Sequence, residues 1–270
     1  MRSAHGLQDE LVFLAQLADT ARPLALRHFR TGIGADSKGA ASGAAYDPVT
    51  IADRDIETAL RALIAQHRPG DGVLGEEHAA SPSRTGRTYV IDPIDGTRAY
   101  IAGLPTWCVL IALNDANGPL ASVIDQPFTG ERFLGITGQS AWLDHQGERT
   151  PLATRPVTRL DEMIISTTDP GLFAGAEAEA FSRLAAQARV RRYGLDAYGY
   201  AALALGGVDL VVENGLKPWD VAALAPVVTG AGGVITDWRG GPCHEGGQVV
   251  AAASPGLHAR ALEALRDAAR

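Results

Sequence analysis

Cysteine is scarce in this chain, with two residues, Cys108 and Cys243, among 270. Cys108 lies in the apolar run Trp107-Cys108-Val109-Leu110-Ile111, where it reads as a small core residue. Cys243 stands beside His244 in a Gly/Pro-rich stretch. A zinc site needs three or four ligands at close spacing and none is visible, so neither zinc nor a disulfide is expected. Long hydrophobic runs are also missing. No stretch approaches ~18 apolar residues, which excludes a membrane-spanning helix. No cationic segment followed by a continuous apolar run opens the sequence, so no signal peptide is expected and the protein reads as soluble and cytoplasmic. Positive charge is short as well: 24 Lys and Arg against 31 Asp and Glu give a net charge of −7, with no basic block. That argues against nucleic acid as a partner. What is present is ordinary for a globular protein, 46% hydrophobic and 20% charged residues. The length suits one large domain or two modest ones, with a sizeable core.

Taken in order, residues 7–30 have helical periodicity, with Leu7, Leu11, Leu14 and Ala18 on one face and a kink or break expected at Pro23. Residues 31–48 are rich in Gly, Ala and Ser and carry one lysine, Lys38. They read equally as a lid over a site or as a plain connector. Thr50 or Asp53 can cap the next helix, whose buried face holds Ile56, Leu60, Leu63 and Ile64 and which stops at Arg68-Pro69-Gly70. After a short strand at Val73-Leu74, four strands at 107–113, 120–125, 132–136 and 140–143 suggest an antiparallel meander. The second half alternates strands and helices, with one helix over 219–229 and a closing helix over 257–268, the rhythm of an α/β layer. The boundary is expected near 147–157, giving a first half, 1–147, of helices on an antiparallel sheet that binds metal and phosphate. The second half, 148–270, is then an α/β unit with a mixed sheet that sets substrate specificity.

The segment Val90-Ile91-Asp92-Pro93-Ile94-Asp95-Gly96-Thr97 concentrates chemistry. A buried strand is expected to end at Val90-Ile91; two carboxylates three apart follow, then a glycine that lets a ligand approach the backbone, then a threonine opening a helix. A helix N-terminus suits phosphate, and carboxylates beside an anion call for cations between them, so a divalent-metal phosphate site is one reading. An Asp-rich turn that merely caps a helix is the other. Upstream, Gly75-Glu76-Glu77 adds two carboxylates at a strand end, which alone could be a solvated acidic turn. Downstream, Lys217-Pro218-Trp219-Asp220 puts an acid at a helix start, where by itself it is a good cap. Several carboxylates with few histidines are the hard oxygen ligands that magnesium takes.

Gly75-Glu76-Glu77, Asp92-Pro93-Ile94-Asp95-Gly96-Thr97 and Trp219-Asp220 resemble, in order and spacing, the three signatures of the inositol monophosphatase family. The resemblance extends from Asp47-Pro48-Val49-Thr50 to Ala231-Gly232-Gly233. It implies a layered α-β-α-β-α sandwich, a homodimer, and a magnesium-dependent phosphate monoester hydrolase acting through activated water. It further implies that Glu76, Asp92 and the Ile94 carbonyl bind one Mg²⁺, that Asp92, Asp95 and Asp220 bind a second, and that a third, weaker ion uses Glu76. Asp95 and the N–H groups of Gly96 and Thr97 would hold the phosphate. Thr97, paired with Asp47, and Glu76 would orient the attacking water, with Lys38 a weaker candidate for orienting the lid or the third metal. Haloacid-dehalogenase-like phosphatases are the rival class. Their Asp-x-Asp-Gly-Thr pattern differs from the Asp-x-x-Asp spacing found here.

Within the family, Arg192-Tyr193-Gly194-Leu195-Asp196-Ala197, Ile165-Ser166-Thr167-Thr168-Asp169-Pro170 and Gly215-Leu216-Lys217-Pro218 look like the branch that hydrolyses histidinol phosphate in histidine biosynthesis. That ester carries an ammonium and an imidazole, and a cation wants carboxylates nearby. Asp196 and Glu213, with Gly194, are the substrate-binding candidates. Asp196 could instead cap the Ala-rich helix that follows it, and Glu213 could be a strand-end surface acid. Leu195 departs from the smaller residue expected before Asp196. Inositol 1-phosphate, or a wider set of sugar and nucleotide phosphates, is the alternative substrate, and a catalytically silent scaffold the alternative outside enzymes.

Overall fold

The structure, a computed structural model, describes residues 4–32, 36–37 and 48–270. The chain runs α1 (Ala4–His28), β1 (Asp36–Ser37), β2 (Pro48–Val49), α2 (Ile51–His67), β3 (Gly72–Gly75), β4 (Thr88–Asp95), α3 (Thr97–Ile101), β5 (Cys108–Asp115), β6 (Gly118–Gln126), β7 (Glu131–Ile136), β8 (Ser140–His145) and β9 (Glu148–Pro151). It continues through β10 (Ile164–Thr167), α4 (Ala176–Ala186), β11 (Val190–Tyr193), α5 (Asp196–Ala204), β12 (Leu210–Leu216), α6 (Pro218–Ala222), α7 (Leu224–Gly230), β13 (Val234–Asp237), β14 (Gly247–Ala252) and α8 (Pro255–Leu265).

Three apolar cores separate five layers. Tyr89, Ile91, Val109, Ile111 and Val123 face α1 and α2 from one side of the first sheet. Their strand neighbours Val90, Leu110, Ala112 and Ile124 point the other way, onto α5, α6 and α7. Strands buried on both faces read as continuous apolar runs rather than alternating ones, as Cys108 to Leu113 do. The far side of those central helices meets Val211, Val249 and Ala251 of the second sheet. Its opposite face, with Ile165, Leu210, Val212 and Val250, packs on α4 and α8. The α-β-α-β-α sandwich is therefore present, with a mixed second sheet ordered β11-β10-β12-β14-β13.

The first sheet, ordered β3-β4-β5-β6-β7-β8-β9, is not wholly antiparallel as expected. β3 pairs with β4 in parallel, Gly75 opposite Ile91, while β4 to β9 form the meander. The connection from 76 to 87 is long enough for the crossover that parallel pairing demands. It brings the C-terminal ends of β3 and β4 to one edge, so the Gly75-Glu76 turn arrives beside Asp92 and Asp95. β9 escaped the sequence reading because all four of its residues are exposed and show no apolar alternation. It closes the first sheet a few residues beyond Gly147.

Two further expectations are corrected. α1 is not broken at Pro23 but runs through it as one helix. Ala18, Ala21 and Ala25 are fully buried on its inner face, and Arg22 donates twice to the buried Asp125, at 3.0 and 2.7 Å, so docking holds the helix across the missing N–H. The single helix expected over 219–229 divides at Ala223, leaving Pro226 in the first turn of α7, where a proline is tolerated.

Candidate active site

β4 does not end at Ile91. It continues to Asp95 through an irregularity: Asp92 lies opposite Leu110 and Asp95 opposite Cys108, three steps on one strand against two on the other. In a regular strand, residues three apart face opposite sides; the extra residue re-aims them toward one side. Pro93, which has no N–H for the ladder, sits in the bulge. Gly96 then caps α3 at φ 81°, in the left-handed region. A Cβ there would lie 3.1 Å from the Asp196 carboxylate and crowd it, so packing adds to the backbone's preference for glycine. The first N–H groups of α3 have no partner inside the helix. α3 is held by Tyr100, whose hydroxyl donates to the Ala25 carbonyl at 2.7 Å and whose ring packs edge-on against Trp107.

Asp220 arrives from the second half on α6, where its carboxylate accepts the Lys217 N–H at 2.7 Å. Asp92 accepts the Ile94 N–H at 3.1 Å and Asp95 accepts the Ala197 N–H at 2.6 Å. One oxygen from each of Asp92, Asp95 and Asp220 lies within 4.8 Å of the others. Burial first, and then the charges of Glu76, Asp95 and Asp220, raise Asp92 well above the carboxylate range. Asp95 is raised by burial and by Asp196 and Asp220. Asp220 is pushed up to about 7, chiefly by burial, with the Lys217 N–H opposing and Glu76 adding. An all-oxygen set held in mutual repulsion fits a hard divalent cation, which would relieve it. Glu76 lines the same cavity without joining the tight triad.

The cavity, about 250 Å³, is walled by both halves of the chain. Asp196 stands over Gly96 at φ 48°, a strained conformation for a non-glycine residue. It is the first residue of α5 and not its N-cap, which is Leu195. Burial lifts it to about 6, opposed by Arg98. Leu195 is accommodated because residue 199 is glycine, whose Cβ would lie 3.3 Å from the Leu195 Cβ. Glu213 is no surface acid. It is 3% exposed and accepts the Thr168 N–H at 2.6 Å, the Thr168 hydroxyl at 3.0 Å and the Thr167 hydroxyl at 3.2 Å. Burial pushes it up to about 8 against those hydrogen bonds. Gly194 is exposed and outside the cavity lining; its N–H donates to the Thr168 carbonyl at 2.8 Å as it turns the chain toward Asp196. The Thr97 hydroxyl donates to the Ile94 carbonyl at 3.0 Å. Asp47 and Lys38 lie outside the described residues.

A model of the inositol monophosphatase family matches residues 7–270. The chain belongs to the inositol monophosphatase family. It is 38% identical over 260 residues to the chloroplastic bifunctional phosphatase IMPL2 of Arabidopsis thaliana, covering 92% of this chain and 72% of the relative. It is 36% identical to a histidinol-phosphatase of Mycobacterium tuberculosis, covering 90% and 93%. An inositol monophosphatase from Zymomonas mobilis superposes with a TM-score of 0.84 at 38% identity, covering 98% of this chain and all of that one. This family member is thus a phosphoric monoester hydrolase for small phosphate esters, and the family is metal-dependent. No helix among the described residues is long and apolar enough to cross a membrane.

The phosphatase also uses a buried acid that the sequence reading did not single out. Glu57, fully buried on α2, accepts the N–H groups of Glu77 at 2.7 Å and His78 at 3.3 Å and pairs with Arg61 at 2.7 Å. It thereby shapes the turn that carries Glu76. A Cβ on Gly75 would overlap its carboxylate. The signal was an acid beside Ile56 on the buried stripe with Arg61 four residues on. Asp53 completes a capping box with Thr50 and is pushed up to about 6, by burial before the charges of Glu77 and Glu76.

Proposed function

We propose that this phosphatase hydrolyses L-histidinol phosphate to L-histidinol and inorganic phosphate in histidine biosynthesis, as a cytoplasmic homodimer. The observation that carries this reading is the Asp196 carboxylate over Gly96. An acid beside a phosphate turn repels the phosphate itself. It suits an ester whose ammonium stands on the carbon next to the phosphorylated one, as in histidinol phosphate. The name of the Mycobacterium relative points the same way. Inositol 1-phosphate is the second reading, favoured by the likeness to the Zymomonas enzyme.

In this proposal Glu76, Asp92 and the Ile94 carbonyl would hold one Mg²⁺, Asp92, Asp95 and Asp220 would hold a second, and Glu76 would contribute to a weaker third. When bound, magnesium supplies Lewis-acid activation of water and neutralises charge on the phosphoryl oxygens. The Gly96 and Thr97 N–H groups donate to the phosphate, with Asp95 beside them. Thr97, whose hydroxyl donates to the Ile94 carbonyl, and Glu76 would orient the attacking water. Asp47 would steady Thr97. The first half, joined by Asp220 from the second, thus serves metal and phosphate, and Asp196, Glu213 and Gly194 in the second half serve recognition, Gly194 through the backbone turn before Asp196.

The test is kcat/KM with magnesium on histidinol phosphate, inositol 1-phosphate, fructose 1,6-bisphosphate and 3′-phosphoadenosine 5′-phosphate. Histidinol phosphate is expected to lead, and Asp196→Ala to raise its KM about tenfold more than that of inositol 1-phosphate. A preference for inositol 1-phosphate that Asp196→Ala leaves unchanged would refute the assignment. Sedimentation equilibrium tests the dimer.

A further inference from the structure

We propose that Asn214 is a specificity-determining residue that accepts a hydrogen bond from the heterocyclic end of the substrate, and that Glu177 positions it. The inference rests on the histidinol-phosphate reading and extends it to two residues outside the expected site. Asn214 follows Glu213 on β12, and in a regular strand the two would face opposite ways. Here β12 carries an extra residue: Glu213 lies opposite Val249 and Leu216 opposite Gly247, with Gly215 in the left-handed region at φ 71°. Glu213, Asn214 and Leu216 accordingly line one cavity, the one that holds Asp92, Asp95 and Asp220.

The neighbours of Asn214 fix its amide. The nitrogen donates to Glu177 Oε2 at 2.8 Å and to the Leu172 carbonyl at 3.2 Å. A carboxylate and a carbonyl accept and do not donate, so the amide oxygen cannot take the nitrogen's place. Glu177, on α4, is 5% exposed and is held from behind. Gln248 Nε2 donates to its Oε1 at 2.7 Å, and Arg270 pairs with the same oxygen at 3.3 Å. With its N–H groups engaged, Asn214 has only Oδ1 to offer, which has no partner among the described residues and is not sealed from solvent. Such an oxygen selects an N–H or O–H donor. Its surroundings favour the first. Leu172 and Leu216 line the cavity too, one bonded to Asn214 through its carbonyl and the other two residues further along β12. A flat imidazole, with carbon on its faces and an N–H at its edge, suits two leucines and one acceptor. An inositol ring would bring several hydroxyls to the same wall and leave some of them unpartnered against the leucines.

The experiment compares wild type with Asn214→Ala, Glu177→Gln and the double variant, all with magnesium. Three esters are used: histidinol phosphate, inositol 1-phosphate, and phosphoethanolamine, which has the phosphate and ammonium but no ring and is read as a substrate or as a competitive inhibitor. Asn214→Ala is expected to raise KM for histidinol phosphate about tenfold with kcat little changed, and to leave the phosphoethanolamine constants as in wild type. Glu177→Gln should raise the same KM by a smaller factor and add nothing once residue 214 is alanine, as befits a residue that acts through another. Independent, additive effects would remove Glu177 from the positioning role. Equal losses on all three esters, or no loss on histidinol phosphate, would overturn the assignment of Asn214, and so would a loss on inositol 1-phosphate as large as that on histidinol phosphate. A wild-type enzyme that treats histidinol phosphate no better than phosphoethanolamine overturns the substrate reading and this inference with it, and is told apart because it shows before any mutation.

Discussion

Replacing Glu213 with Gln offers the most direct probe of the buried acids. Burial keeps the Glu213 carboxyl protonated up to about 8, against an ordinary value of 4.5. The folded state therefore holds this proton across a window in which the unfolded chain has lost it. Stability is highest below 4.5, falls as pH rises from there to about 8, and is level above. The slope is about 1.4 kcal/mol per pH unit, so the ceiling is about 5 kcal/mol across the window. Water entry and local relaxation lower that figure, and a difference of at least ~2 kcal/mol is expected. The Gln amide keeps the geometry. Its oxygen can accept from the Thr168 N–H and hydroxyl, and its nitrogen can donate to Thr167 Oγ1. The assay is urea denaturation in EDTA, near pH 5 and near pH 8.5, for both proteins. The other buried acids shift wild type and variant alike, so the difference between the two pH dependences isolates Glu213. Wild type should lose more stability than Glu213→Gln over this range, and the variant should be the more stable protein at the higher pH. Parallel pH dependences would refute the reasoning.

Asp220→Asn should lower magnesium-dependent turnover at least ~10³-fold and abolish the rise in melting temperature that magnesium gives wild type. In EDTA the same variant should melt no lower than wild type, because one of three crowded carboxylates is gone; calorimetry reads both effects. Gly75→Ala should cost about 1–3 kcal/mol in denaturant titrations and reduce kcat, since a Cβ meets the Glu57 carboxylate and displaces the turn holding Glu76. Gly135→Ala should cost a similar ~1–3 kcal/mol, because its Cβ would overlap the Pro226–Val227 backbone of α7, and should leave kcat per folded molecule near that of wild type.

The sequence by itself determined a great deal. The apolar runs of β4 to β7 and the stripes of α1 and α2 fixed element types, because burial on one or two faces writes its period into the chain. The spacing of Glu76, Asp92, Asp95, Gly96, Thr97 and Asp220 was enough to name the family. Elements whose residues carry no apolar period were not legible, as β9 shows. Nor was the continuity of α1 through Pro23, which depends on what Arg22 and its alanine face meet across the core.

Only the tertiary structure decided how the acids share one point. A parallel partner for β4 sets the Glu76 turn at the same sheet edge, and a bulge at Pro93 turns Asp92 and Asp95 the same way. Asp220 reaches them from more than a hundred residues downstream. Sequence also left Asp196 and Glu213 open between cavity and ordinary roles. Their place depends on α5 lying over Gly96 and on β10 pairing with β12, contacts between distant segments that no local pattern encodes. For the same reason Glu57 went unremarked until the fold gave it a turn to hold.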